Sequence, residues 1–183
     1  MSRVDRTMPW LGFPVAMDLA NTIVMSVPEV DLLTTEDDLA AWAAAEAGRI
    51  ADVEETSGHL EEVRELRAHV RAALFAAAEG RALPPEAVAA LNQASAGAPS
   101  YPVLRPNGFA EDVVVQEDRF MRLRAAVARS AIAVIAGDDR DRLDVCRAPS
   151  CGMLFLRRGA AQKWCSDPCG NRSRVARHAQ RRR

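Results

Sequence analysis

Apolar residues recur every three or four positions in four segments of the first 137 residues, which predicts four helices. The first helix is predicted to begin at Thr35, because Thr35 and Asp38 have the spacing of a capping box, and to end near Gly48. The other three are predicted over residues 57–79, 86–94 and 118–136. Charged residues occupy the outer faces, so this part of the chain predicts a mainly helical domain.

A different pattern separates the last two of these helices. Residues 101–104 and 112–116 are short β-prone segments on either side of Asn107-Gly108, a turn pair typical of β-hairpins. Near the start, the apolar segment 10–17 is punctuated by Gly12 and Pro14, which favours an extended conformation. We therefore expect one small hairpin and an extended N-terminal segment beside the helices.

Two polar residues, Asp18 and Asn21, interrupt the apolar run that follows. A buried polar side chain needs a hydrogen-bond partner. In one interpretation both side chains satisfy backbone groups at a turn or a helix end, as Asp and Asn commonly do. In the other they line a pocket for a small-molecule effector.

The four cysteines of the chain all lie in its last 38 residues, at Cys146, Cys151, Cys165 and Cys169. Two close pairs separated by an insert can place four thiolates around one tetrahedral zinc ion. Four protein ligands leave no coordination position for a catalytic water, so the sequence predicts one structural Zn²⁺. A disulfide or a redox switch is the alternative, which a reducing cytoplasm disfavours.

The residues around the cysteines predict a treble-clef-like module. Pro149 and Gly152 suit a tight knuckle around the first pair, and residues 153–156 and 163–165 are predicted to pair as a hairpin. Ser166 is predicted to cap a helix that carries Cys169, with Pro168 in its first turn. The expected fold is therefore α+β: an acidic, mainly helical domain over residues 1–137, then a zinc module over residues 138–183.

Charge is distributed unevenly along the chain. From Arg140 onward, twelve Lys or Arg face three acids, a net charge of +9, whereas the other residues hold twelve basic and 22 acidic side chains, a net charge of −10. The chain has 23 Arg and one Lys, so the choice of arginine over lysine is general and carries little weight. The clustering of arginine from Arg140 onward is the informative feature. A basic zinc module indicates nucleic-acid binding, because arginine neutralises phosphates and releases counterions.

The predicted C-terminal helix places its basic residues on one face. Arg174, Arg177 and Arg181 are spaced at i, i+3 and i+7, which gives a helix that can enter a major groove or lie along phosphates. Val175 and Ala179, one turn apart, are predicted to face the hairpin. The alternative is a solvated basic tail that favours the negative end of the helix dipole.

Two aromatic residues of the module also have two interpretations. Phe155 and Trp164 are predicted to supply the apolar mass of a miniature core, because a module of this size cannot fold on burial alone. The alternative is that they stack on bases.

Membrane and enzyme functions are not expected. No segment approaches the roughly 20 apolar residues needed to cross a bilayer, so we expect a cytoplasmic protein. The sequence also lacks a glycine-rich phosphate loop, a serine nucleophile elbow and a supported pair of carboxylates. No catalytic residue is predicted, and a pocket containing Asp18 and Asn21 would be the best place to look for one.

Cys169-Gly170-Asn171-Arg172 resembles the motif that names the CGNR zinc-finger family. The resemblance extends to the first cysteine pair, the strand at 154–156, the Trp-Cys-Ser at 164–166 and the Arg-rich end. Residues 18–22, Asp-Leu-Ala-Asn-Thr, look like the signature of the ABATE domain that usually precedes this finger. Together the two resemblances cover nearly the whole chain.

The resemblance implies a bacterial, stress-responsive transcription regulator whose finger binds zinc through the four cysteines and also binds DNA. It further implies an N-terminal domain that senses a ligand. It marks Asn171 and Arg172 as motif residues, and we add them to the arginine stripe as candidate nucleic-acid contacts. Family members often carry an acid after the Phe-Leu strand, where this chain has Arg157.

The leading hypothesis is therefore a DNA-binding regulator with a sensor or dimerisation domain. A homodimer fits this hypothesis, because single small modules bind DNA weakly and pairing of half-sites is a common remedy. The alternative is an RNA- or protein-interaction adaptor, in which the acidic domain pairs with the basic tail at low salt.

Overall fold

The computed structural model describes residues 12–25, 28–49 and 56–181. Six α-helices lie in these ranges: α1 Val15–Ala20, α2 Glu36–Glu46, α3 Leu60–Ala78, α4 Pro85–Ala96, α5 Arg119–Ala136 and α6 Asp167–Gln180. Three antiparallel strand pairs accompany them: β1 Ile23–Val24 with β2 Val30–Asp31, β3 Ser100–Leu104 with β4 Ala110–Val114, and β5 Leu143–Val145 with β6 Leu154–Leu156. The predicted α+β fold, with a helical part first and a small cysteine module ending in a basic helix, is confirmed. Residues 10 and 11 of the predicted extended segment and the last two arginines lie outside the described residues.

The four helices predicted for the first part of the chain are α2 to α5, displaced by at most three residues at their ends. The predicted capping box is present: the Thr35 hydroxyl accepts from the Asp38 amide at 3.2 Å, and the Asp38 carboxylate accepts from the Thr35 amide at 3.0 Å. Asp118 accepts from the Met121 amide at 3.0 Å in the same way at the start of α5. These side chains satisfy amides that have no partner inside the helix.

Helix α3 lies at the centre of the main core, where it packs against α1, α4 and α5. Its inward residues Val63, Leu66, Val70 and Leu74 are buried, as the helical spacing predicts. Full burial of each large apolar side chain is worth roughly 1.5 to 3 kcal/mol. Among the described residues, no helix has the length and apolar character that crossing a bilayer requires.

The N-terminal segment differs from its prediction. Residues 15–17 of the segment predicted to be extended belong to helix α1, which continues to Ala20. Pro14 precedes the helix, where its fixed φ is compatible with a helix start, and Ala16 donates its amide to Ser130 Oγ at 3.3 Å. Because α1 packs against both α3 and α5, it is apolar on nearly all sides, and such a helix shows no amphipathic period in the sequence.

The predicted hairpin of the helical part is strand pair β3–β4, with Tyr101 opposite Val113. Its two strands contact mainly each other. Near its turn, Leu104 and Phe109 are 76% and 73% exposed. The hairpin therefore presents apolar side chains to solvent.

The strand pairing of the cysteine module also differs from its prediction. Strand β6 pairs with β5, which precedes the first cysteine pair, and residues 163–165 form no strand. The reason is local: the knuckle is itself the turn of a hairpin, so the segments on either side of it become neighbours. Alternation along β6 then buries Leu154 in the main core and Phe155 among the cysteines. One strand thus takes part in both cores, and the domain boundary at 137/138 stays a prediction.

Candidate zinc centre and nucleic-acid interface

The first cysteine pair lies on the turn between β5 and β6. Cys146 donates its amide to the Met153 carbonyl at 2.8 Å, and its carbonyl accepts from the Gly152 amide at 3.0 Å. Gly152 has a φ of +67°, and a side chain there would collide with Met25. Ser150 also adopts a positive φ, of 57°. These conformations close the turn tightly enough to bring both cysteines of the pair to one centre.

The second pair lies at the start of α6. Cys165 precedes the helix and Cys169 is in its first turn, where the exposed amides favour a thiolate. Ser166 occupies the predicted N-cap position, but its side chain makes no capping hydrogen bond to the described helix. Pro168 occupies the first turn, where its missing amide costs no helical hydrogen bond.

The four Sγ atoms form one compact cluster. Cys151, Cys165 and Cys169 have mutual Sγ distances of 3.5 to 3.6 Å, and all four sulfurs lie within 4.8 Å of one another. Four thiolates at about 2.3 Å from one zinc ion would be about 3.8 Å apart, whereas a disulfide bond is about 2.0 Å. All four cysteines are free of disulfides. The donor set and spacing fit one structural Zn²⁺, as the sequence predicts, and Cys146, Cys151, Cys165 and Cys169 would hold it.

The thiol pKa values show how closely these groups interact. A hydrogen bond from the Cys165 thiol lowers the pKa of Cys151 to about 5. The same hydrogen bond, and then burial, raises the pKa of Cys165. Burial raises the pKa of Cys146. Thiols this close cannot all ionise without a cation between them, and a zinc dication supplies that charge.

The motif residues after Cys169 have distinct contacts. Arg172 donates from Nη2 to the Cys169 sulfur at 3.0 Å, so its charge compensates a thiolate. Asn171 is exposed, and its side-chain oxygen accepts from Arg174. Gly170 is buried beside Trp164. The structure therefore gives Arg172 a role at the metal centre, whereas a nucleic-acid contact from Asn171 or Arg172 stays a prediction.

The two aromatic residues have different surroundings. Phe155 is fully buried among Cys146, Cys151 and Cys169, which is the core role expected for it. Trp164 is half-buried and packs against the same cluster, with part of the indole still exposed. Of these two aromatic residues, only Trp164 has the exposed surface that stacking on a nucleobase requires.

The arginines of α6 are exposed. Arg174, Arg177 and Arg181 all lie on the solvent side of the helix, and Arg177 also donates from Nε to the Ser173 carbonyl at 3.4 Å. The prediction that Val175 and Ala179 face the hairpin is wrong, because both residues are exposed, Val175 by 70%. The metal site sets the rotation of the helix: Cys169 must face the other sulfurs, so Ser173, one turn later, is the residue that is buried.

The Asp18 side chain satisfies backbone amides and one cation. Its carboxylate accepts from the amides of Gly12 at 3.0 Å and Phe13 at 3.3 Å, and from Arg49 Nη1 at 2.7 Å. Burial raises the pKa of Asp18, and the Arg49 hydrogen bond opposes that rise. These contacts agree with the interpretation in which Asp18 satisfies backbone groups. An effector pocket at Asp18 stays a prediction.

Asn21 is buried and bonds a residue far along the chain. Its Nδ2 donates to the Leu154 carbonyl at 3.0 Å, and its Oδ1 accepts from the Leu154 amide at 2.9 Å. The side-chain amide thus pairs with β6 as a neighbouring strand would. Asn21 therefore joins the N-terminal motif to the strand that carries Phe155.

Sequence reasoning missed three charged residues around this motif. Arg67 is 2% exposed and makes a bidentate pair with Asp31, with both distances 2.6 Å, while also donating to Thr22 at 2.9 Å. Glu46 and Arg49 lie beside Asp18, with Arg49 2.7 Å from the carboxylates of both acids. A signal was present, since Arg67 follows the inward Leu66 directly, and an arginine is seldom fully buried unless it is paired.

Glu46 is the most perturbed acid of this group. Its side chain is fully buried, and its Oε1 has no hydrogen-bond partner among the described residues. Burial, and then the negative charge of Asp18, raise its pKa from 4.5 to about 7, against the effect of Arg49. The two acids and one arginine therefore form a group whose charge changes near neutral pH.

Two protein-family models together match nearly all of the described chain. Residues 14–138 match the ABATE family, described as "Putative stress-induced transcription regulator". Residues 142–182 match the CGNR zinc finger. A search of curated proteins found no match.

Proposed function

Because the chain belongs to the ABATE family and ends in a CGNR zinc finger, we propose that this regulatory zinc-binding protein is a transcription regulator that binds DNA through α6. The stress response and a bacterial cytoplasmic setting are parts of the same proposal. The proposal makes the zinc structural, since four sulfurs would fill its coordination positions, and it assigns the chain no catalytic role.

The exposed arginines of α6 carry this proposal. Arg174, Arg177 and Arg181 have no ion pair with any described residue, and Asp167 is the only acid on the helix. A 14-residue helix is about 21 Å long, enough to lie in a major groove or along several phosphates. Its first turn is fixed by Cys169, so the metal centre holds the stripe in one orientation. An unstructured basic tail would lack that property.

The helical part is the proposed sensor. Its acidic surface and buried charged group at Asp18, Glu46 and Arg49 could respond to a small ligand, and the bond from Asn21 to Leu154 offers a direct route to the finger. A ligand that moved α1 would change the position of β6. This coupling needs no contact between the ligand and DNA.

A homodimer completes the proposal. Two-stranded hairpins are only marginally stable in water, yet β3–β4 exposes Leu104 and Phe109. Covering these residues with a second copy would pair two fingers on two half-sites. Light scattering on wild type and on a Leu104→Ser/Phe109→Ser variant tests this: the proposal expects a dimer that becomes a monomer, and a monomeric wild type would contradict it.

The DNA contact is tested by fluorescence anisotropy of a labelled random duplex, titrated with zinc-loaded protein over a salt series. Wild type should bind with an affinity that falls steeply with salt, by a slope of about 0.9 per phosphate contacted. Arg174→Ala/Arg177→Ala should weaken DNA binding and reduce the slope of affinity against salt by the amount expected for about two phosphate contacts. Arg64→Ala/Arg81→Ala removes the same charge from the helical part, outside the hairpin of the proposed dimer, and is the matched control. Equal losses in both variants would place the contact elsewhere than α6.

A further inference from the structure

A cleft lies beside α6, on the side of the helix that faces the knuckle. Its volume is about 550 Å³, and it is bounded by strand β5, the knuckle, the segment before α6 and α6 itself. The side chains that give it chemical character are Asp144, Arg147, Lys163, Trp164, Ser173 and Arg177. Its volume is within the range of small-molecule sites, about 300 to 1,000 Å³, and is much larger than one phosphate ion requires.

Three cations converge on this cleft. Arg147, Lys163 and Arg177 come from the knuckle, from the segment before α6 and from α6, and none has an ion pair with a described residue. Asp144 is the acid among the lining residues, and it accepts from the Val145 amide at 2.7 Å and lies 3.9 Å from Arg157. The cleft therefore has a net positive charge, which favours a ligand with an anionic group.

Ser173 supplies a second and independent indication of a ligand. The residue is 8% exposed, and its hydroxyl has no hydrogen-bond partner among the described residues. A buried hydroxyl without a partner is unfavourable, and the residue that carries it lines the cleft. A ligand atom in the cleft would satisfy it.

Trp164 gives the cleft an aromatic surface. The indole is held by its packing on the cysteine cluster, and its exposed part lines the cleft next to Lys163. A fixed aromatic ring next to cations is the usual combination for a nucleobase joined to a phosphate.

We propose that this cleft binds one nucleoside phosphate, with the phosphate at Arg147, Lys163 and Arg177, the base on Trp164, and Ser173 bonded to the ligand. The proposal deepens the proposed function, because Arg177 belongs both to the cleft and to the arginine stripe of α6. The nucleotide could be free in solution or be one unit of a nucleic acid. Both sources present the same chemistry.

The test is calorimetric titration of the zinc-loaded full chain with 5′-nucleoside monophosphates, the corresponding nucleosides and inorganic phosphate. A monophosphate should bind about tenfold or more tighter than either part alone, since phosphate and base contacts add. Lys163→Gln should weaken it about tenfold, because it removes a charge-assisted hydrogen bond. Arg158→Gln removes one charge from the same module outside the cleft and should change affinity less than about twofold.

Ser173→Ala separates a ligand role from a structural one. The variant should weaken the monophosphate about fivefold, the effect of one hydrogen bond. Its unfolding temperature should be unchanged or higher, because the hydroxyl that it removes has no partner within the protein. A lower unfolding temperature with unchanged affinity would overturn the assignment.

The two sources are separated by a second titration with a short oligonucleotide, single-stranded and duplex. Saturable binding of monophosphate that depends on Lys163 and Ser173 shows a free nucleotide site. No monophosphate binding, together with oligonucleotide binding that depends on Lys163 and Ser173 but not Arg158, shows a unit of nucleic acid. If neither ligand depends on these residues, the cleft proposal is wrong. Duplex binding that depends on Arg174 but not on Lys163 or Ser173 would overturn the cleft proposal and leave DNA binding through α6 supported. Monophosphate binding without duplex binding would overturn DNA binding through α6 and leave the cleft proposal supported.

Discussion

The side-chain amide of Asn21 forms two hydrogen bonds with the backbone of Leu154, at 3.0 and 2.9 Å, across 133 positions of sequence. Leu154 is a residue of strand β6, and its neighbour Phe155 packs among the cysteines. The N-terminal motif is therefore bonded directly to the finger. This contact is the physical link that the proposed coupling of the helical part to the finger requires.

Replacing Asn21 by Ala should destabilise the chain. The substitution leaves the amide and the carbonyl of Leu154 buried without partners, at a cost of about 2 to 4 kcal/mol in the free energy of unfolding. Urea denaturation of the zinc-loaded protein measures it. Asn92→Ala, at an exposed position of α4, is the control and should change stability by less than about 0.5 kcal/mol. A similarly small change for Asn21→Ala would mean that the link does not hold the finger in place.

Arg172→Ala should weaken zinc binding. Its guanidinium lies 3.0 Å from the Cys169 sulfur, and loss of such a contact to a metal ligand typically lowers metal affinity about 10- to 100-fold. Competition with a chromogenic chelator reports the affinity. Arg158→Ala is matched in charge and should retain wild-type zinc affinity. If both variants bind zinc as tightly as wild type does, the motif arginine acts elsewhere, with DNA as the first place to look.

Removal of zinc should destabilise more than the finger. Strand β6 contributes Leu154 to the main core and Phe155 to the cysteine cluster, so loss of the metal should loosen both. We expect a chelator to lower the unfolding temperature of the whole chain in scanning calorimetry, with recovery when zinc is restored. A helical part that melts at the same temperature with and without metal would show that the two cores are independent.

Stability should fall as pH rises through neutrality because of Glu46. Its pKa is raised from 4.5 to about 7 by burial, so the folded protein binds more protons than the unfolded chain between these values. The free energy of unfolding then decreases as pH rises across that interval. Glu46→Gln should flatten this dependence, measured by urea midpoints with saturating zinc in every buffer. Glu86→Gln, at an exposed position of α4, should leave the slope as in wild type, and a Glu46→Gln slope equal to that of wild type would contradict this assignment.

The sequence predicts the structural features that are fixed by interactions between residues close together in the chain. The capping box at Thr35 and Asp38 and the stripe of α3 were readable because each is fixed by neighbours within one or two turns. The cysteine spacing predicted the metal centre for the same reason. By contrast, α1 is buried on nearly all sides and has no amphipathic period.

Long-range contacts were not readable from one sequence. Asn21 was open to two interpretations because its partner, the backbone of Leu154, has no sequence signature. The sequence predicts that residues 153–156 pair with residues 163–165, whereas β6 pairs with β5, because the knuckle is the turn of that hairpin. The rotation of α6 followed from the requirement that Cys169 reach the metal, and this requirement places Ser173 in the cleft and Val175 in solvent.

We propose that zinc holds the arginines of α6 in an orientation that binds DNA. The most direct measurement compares the affinity of one labelled duplex for zinc-loaded and metal-free protein at the same salt concentration. We predict that removal of the metal weakens binding about tenfold or more, with recovery on reloading. Equal affinity with and without zinc would contradict the claim and would leave the C-terminal segment as a basic tail whose charge alone attracts DNA.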